Sequence, residues 1–156
     1  MSRRRPASLV AAIPVVLAAS FLLSSCRASQ TPPSVEAKAR ELHKRILTVD
    51  THCDTAFGLL RTDWKIGERH DPALRASGKI DLPRMREGGL DAEFFAAFVG
   101  QGPLNPEAYA KAKDNAMRAV EAVRKMTEEY ASVIGLAVDP EGARRLKKEG
   151  KLTAFI

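Results

Sequence analysis

Three rhythms of apolar and polar positions follow one another along the chain, and their order predicts the fold. The first is an apolar run, "ASLVAAIPVVLAASFLL" from Ala7 to Leu23, behind Arg3, Arg4 and Arg5 and ahead of small residues and Cys26. It is shorter than the roughly 20 residues of a spanning helix and is interrupted by Pro14, so residues 1–25 read as a removed secretory signal. Residues 26–33 contain the polar "RASQTPP", the composition of a short tether.

The remaining rhythms, helical and strand-like, alternate over 34–156. Ser34 is placed to cap a helix over "VEAKARELHKR", with Glu36 in its first turn, and Ile46 to His52 is rich in β-branched residues and predicts a strand. Thr55 to Lys79 holds no sustained period and predicts a long loop with a short helix. His43 then reads as a surface or packing residue and His70 as a solvated loop residue without a partner at ligand spacing. "DLPRMREGG" carries its own punctuation: Asp81 to cap, Pro83 in the first turn, Gly88 and Gly89 to stop. "LDAEFFAAFVG" predicts a second strand, apolar on both faces after Glu93, as in a parallel sheet covered by helices.

Asn105 and Pro106 open the longest helix, Glu107 to about Tyr130. Tyr109, Ala112, Ala116, Val120, Val123, Thr127 and Tyr130 form its packing stripe, which makes both tyrosines core residues. "VIGLAV" reads as a short extended stretch, Asp139 and Pro140 start another helix, Gly150 ends it, and "KLTAFI" begins a third strand. A βα repeat of this order implies an α/β fold with parallel strands and right-handed crossovers. Ile156 lies inside an apolar run with no turn signal, so the expectation is the front of a larger protein, truncated in or after the third strand. The alternative is a small three-stranded α/β domain that ends there.

Charge changes this picture little. The formal net charge is +6, but the signal takes three of the 25 basic residues and none of the 19 acidic ones, leaving +3 on the mature chain. The densest basic cluster, Arg144 to Lys151, is the solvated face and last turn of a helix, so nucleic acid is not an expected partner. Cys26 and Cys53 are the only cysteines, too few for a disulfide framework when one is modified. "LSSC", Leu23 to Cys26, resembles the lipobox of bacterial lipoproteins, which implies lipidation of Cys26 and a membrane anchor at the cell envelope. Arg27 follows it rather than the Asp of inner-membrane retention, which leans the expected location toward the periplasmic side of the outer membrane.

The candidate chemistry sits in "ILTVDTHCDT", where the first strand runs into Asp50, His52 and Asp54. A two-residue period points these three one way and Thr51 and Cys53 the other. His52 and Asp54 can then bring an imidazole nitrogen and a carboxylate oxygen to one divalent ion such as zinc, or serve as a hydrogen-bonded structural pair. Asp50 reads as a packing group or a support for those two, and Cys53 as a small buried hydrophobe.

With "KIDLPRMREGGLDAEFFAAFV", the long helix and "EGKLTAFI" added, the mature chain resembles the N-terminal part of the membrane dipeptidase (renal dipeptidase) family of zinc peptidases. The resemblance implies a (β/α)8 TIM-type barrel with two zinc ions that hydrolyses dipeptides. It carries metal-ligand roles to His52 and Asp54 only. The bridging glutamate, the further histidines and the catalytic residues are expected beyond Ile156, so these 156 residues alone are expected to be inactive. Two readings stand beside it: a noncatalytic envelope lipoprotein, and another metal-dependent hydrolase on the same barrel.

Overall fold

The computed structural model describes residues 32–74 and 78–156. The signal read over 1–25 and the lipidated Cys26 lie outside the described residues, as does most of the tether. From Ser34 onward the chain forms one unit, Ser34–Ile156. Its elements are helices α1 (Val35–Arg45), α2 (Leu82–Gly88), α3 (Pro106–Glu129) and α4 (Pro140–Lys148). They alternate with strands β1 (Val49–Cys53), β2 (Ala92–Phe95), β3 (Ile134–Leu136) and β4 (Leu152–Phe155), and a 3-10 turn spans Asp54–Leu60.

Each helix begins where its capping residue predicts. Ser34, Asp81, Asn105 and Asp139 accept from the backbone N–H groups of Ala37, Arg84, Ala108 and Gly142, satisfying donors that the first helical turn leaves open. Gly89 stops α2 in the left-handed region, φ 69°. A Cβ there would also come within 2.8 Å of the His43 ring, so His43 has the packing role expected of it.

All strand pairs are parallel, in the order β1-β2-β4-β3. Four strands replace the expected three, because Ile134–Leu136 pairs along the far side of β4. "KLTAFI" is thus fourth along the chain and third across the sheet. The first strand starts later than expected, since Ile46 donates its N–H to Leu42 and closes α1 instead. Residues on opposite pleats enter two cores. Phe95, Leu152 and Ala154 pack with Ala119, Val123 and Met126 of α3 and with Trp64 and Ile66 of the long loop. Ala92 and Phe155 pack with Ala143 and Leu146 of α4.

The stripe of α3 is corrected in its first half. Val123 and Thr127 are buried and Tyr130 packs on the core, but Tyr109 is exposed. The buried residues of α3 begin only at Ala119, because the earlier turns run clear of the sheet. His70 is also corrected. Its ring stacks on Trp64 with centroids 5.0 Å apart, its backbone N–H donates to Asp81 Oδ2 at 2.9 Å, and Nδ1 approaches the same oxygen at 3.3 Å. Asp81 is fully buried and also accepts from Arg84 Nε at 2.6 Å. Burial works to raise this carboxyl, but the hydrogen bonds and the Arg84 charge outweigh it and hold the pKa below its ordinary value.

Candidate metal centre

Strand β1 delivers its polar residues to the C-terminal edge of the sheet, the edge at which parallel α/β folds place their chemistry. His52 Nε2 lies 3.2 Å from Asp54 Oδ1, and both side chains are exposed, 61% and 68%. The expected pair is therefore together, though not by simple alternation. Asp50 pairs with Glu93 and Cys53 with Phe95, so β1 takes three steps against two on β2. Because Glu93 and Phe95 share a face, Asp50 and Cys53 share it too, so the predicted opposite directions of Asp50 and Cys53 are not kept. Bulges of this kind re-aim a side chain. Asp54 has already left the strand and opens the 3-10 turn.

The neighbours of the pair hold this geometry. Asp50 Oδ1 accepts from the His52 backbone N–H at 3.1 Å, a short polar side chain bonding its own chain two residues on. Cys53 is buried, as expected, with Sγ 2.9 Å from Thr55 Oγ1. Burial pushes its thiol pKa up, partly offset by the Thr55 hydrogen bonds, while the Glu93 and Asp50 charges add to the rise. Beside Asp54 is a recess of about 140 Å³ that includes Thr55, Gly58, Arg61 and Lys79 in its wall.

Sequence reasoning missed two acids on β2 and its approach. Asp91 Oδ2 accepts from the backbone N–H and the hydroxyl of Thr48 and pairs with Lys147 Nζ at 2.6 Å. Lys147 is thus more than the solvated helix face predicted for it. Glu93 is fully buried, and neither of its carboxylate oxygens has a partner. Burial first, and the Asp50 charge second, push its pKa up to about 8. The signal was legible: one carboxylate at the head of the run "EFFAAFV", on a strand expected to be covered on both faces.

An imidazole nitrogen and a carboxylate oxygen in contact on an exposed edge suit a borderline divalent ion, so the donor set fits half of a metal site. The fit stops at two donors. Among the described residues no three His, Cys, Asp or Glu side chains converge to hold an ion.

A parallel sheet whose strands alternate with helices fits the N-terminal part of a (β/α)8 barrel. Residues 36–156 match the membrane dipeptidase family, peptidase family M19, and the chain belongs to that family. It is 24% identical to the dipeptidase ataJ of Aspergillus terreus, over 76% of this chain and 30% of that protein. Its structure is similar to the crystal structure of the probable dipeptidase PvdM from Pseudomonas aeruginosa. There the TM-score is 0.58 and the identity 25%, over 75% of this chain and 29% of PvdM. The chain thus spans about three tenths of the length of these relatives.

Proposed function

We propose that this chain contributes the first metal half-site of a zinc-dependent dipeptidase, and that the whole protein works from a lipid anchor in the bacterial cell envelope. The observation that carries the reading is the His52 Nε2 to Asp54 Oδ1 approach of 3.2 Å at the end of β1, in a chain of the membrane dipeptidase family. His52 and Asp54 would hold one of two zinc ions. Bound metal supplies polarisation of the scissile carbonyl and a lowered pKa for the attacking water. The chain's own contribution is to orient the donors: Asp50 holds the main chain at His52, and the 3-10 turn brings Asp54 Oδ1 to His52 Nε2.

Two donors do not complete a zinc site, which takes three or four protein ligands. We therefore infer that the 156 residues alone do not turn over substrate. Anchoring rests on the basic start, the apolar run and "LSSC", with Cys26 lipidated as the first mature residue on the periplasmic side, leaning to the outer membrane.

His52→Ala in the whole protein is the decisive variant. Loss of dipeptide hydrolysis together with loss of bound zinc is expected, and wild-type values for both would remove the assignment. Zinc-loaded 156-residue chain should be silent on the same dipeptides, and turnover there would overturn its inferred inactivity.

A further inference from the structure

Glu93 stands apart from the other acids among the described residues: it is wholly enclosed, and neither carboxylate oxygen has a partner. An isolated ionised carboxylate in a closed layer is far too costly to keep, so such a group holds a proton, finds a partner, or both. Its surroundings narrow the choice. From β1 the Asp50 carboxyl and the Cys53 thiol lie on its side of the sheet, and from β4 its register partner is Ala154. The buried residues of α3 and of the 3-10 turn include no ionisable group. Asp50, the register partner of Glu93 on β1, is the acid whose charge acts on it. Neighbouring strands run about 4.8 Å apart, a gap that a glutamic acid spans directly or through one enclosed water.

We propose that Glu93 is a positioning residue for the half-site: its carboxyl group donates to the Asp50 carboxylate across the β1–β2 pair and so fixes the irregularity that turns His52 towards Asp54. The chain of contacts beyond Asp50 is already in place, since Asp50 Oδ1 accepts from the His52 N–H and the ladder resumes at Cys53, whose carbonyl accepts from Ala96. Burial and the Asp50 charge, which keep Glu93 protonated up to about pH 8, supply the donor at neutral pH. The consequence for metal affinity rests on the reading of His52 and Asp54 as donors, whereas the effect on the main chain does not.

Two variants of the full chain, Glu93→Gln and Glu93→Leu, separate the roles. Glutamine still donates, while leucine fills the space without a donor. The readouts are hydrogen exchange at the residue 52 backbone amide and calorimetric affinity for Zn²⁺ alone. Glu93→Gln should match the wild type in both. Glu93→Leu should lose protection at that amide and bind Zn²⁺ about 10- to 100-fold more weakly, the usual scale for removing a group that orients a ligand. A purely structural Glu93 would leave residue 52 and Zn²⁺ affinity untouched in the leucine variant, and that result overturns the proposal. So does a glutamine variant that behaves like leucine.

If Glu93→Leu does not fold, wild type and Glu93→Gln are compared across about pH 6 to 9 after correction for base-catalysed exchange. Protection of the residue 52 amide should fall near pH 8 in the wild type and stay level in the variant. Level protection in both overturns the proposal. Unchanged Zn²⁺ affinity in His52→Ala would sink the half-site reading instead, and the amide readout of the Glu93 variants would still stand.

Discussion

Two acids sit two residues apart on the same stretch of chain and meet opposite fates. Asp91, just before β2, is half-buried and saturated with partners: Thr48 through its N–H and hydroxyl, and Lys147 through an ion pair. Burial works to raise its pKa, but these contacts outweigh it and hold the carboxyl below its ordinary range. Glu93, one pleat further towards the C-terminal edge, has no partner, and its pKa is pushed up to about 8. The N-terminal edge of the sheet commits its polar groups to each other and gains stability. The C-terminal edge leaves an imidazole and a carboxylate exposed, with a buried acid of raised pKa behind them, the pattern expected when one end of a parallel sheet holds the fold and the other is free for chemistry.

The largest effect should come from neutralising the unsatisfied acid. The folded pKa of Glu93 lies above its ordinary value near 4.5, so the folded state binds the extra proton between about 4.5 and about 8. Stability therefore falls as pH rises through that window. Glu93→Gln should remove this fall, leaving the variant more stable than the wild type by on the order of a few kcal/mol above pH 8. Urea midpoints measured across the pH range read it directly, and parallel wild-type and variant profiles would erase the contrast with Asp91.

Asp91→Ala should act with the opposite sign and lose about 3 kcal/mol at neutral pH, because it leaves the Thr48 backbone N–H and Lys147 unpaired. The folded pKa of Asp91 is depressed, so its contribution is present above the unfolded value of 3.8 and is lost as pH falls through the lower folded value. The Asp91→Ala penalty should fade in acid. A penalty constant down to the acid end would show that packing, not charge, holds that edge together.

Gly89 belongs to the same N-terminal edge, since its carbonyl accepts from Thr48 Oγ1 at 2.6 Å. Its φ is 69°, a conformation that L side chains rarely adopt, and a Cβ would meet the His43 ring at 2.8 Å and have to displace it. Gly89→Ala should lower stability by about 1–2 kcal/mol in the same urea series.

How far the chain announced all this depended on how local each signal was. Capping is local, so Ser34, Asp81, Asn105 and Asp139 were legible one by one, as were the glycine stops. The family was legible because H-x-D, the Asp-Leu-Pro helix and the Gly-Gly turn recur in order, and residues 36–156 match it. Tyr109 was misread because helical periodicity gives the direction of a stripe but not where the sheet beneath it ends. His70 and Lys147 depend on partners 11 and 56 positions away in Asp81 and Asp91, and the raised pKa of Glu93 depends on burial and on the charge of Asp50, 43 positions away; a periodicity reading has no access to such pairs. The irregularity in β1 was hidden for the same reason: register belongs to two strands at once.

The smallest expected effect is at the half-site itself, and it is the sharpest part of the contrast. His52 and Asp54 are exposed, and their mutual contact is a surface pair of a kind that adds little to stability. His52→Ala and Asp54→Ala should each move the unfolding free energy by less than about 0.5 kcal/mol, several-fold less than Asp91→Ala. A large loss of stability in either variant would mean that the pair serves the fold, as a structural hydrogen bond would, and the C-terminal edge would then have no residue set aside for chemistry. Small stability changes combined with loss of Zn²⁺ binding would place the pair where the division between the two edges predicts it.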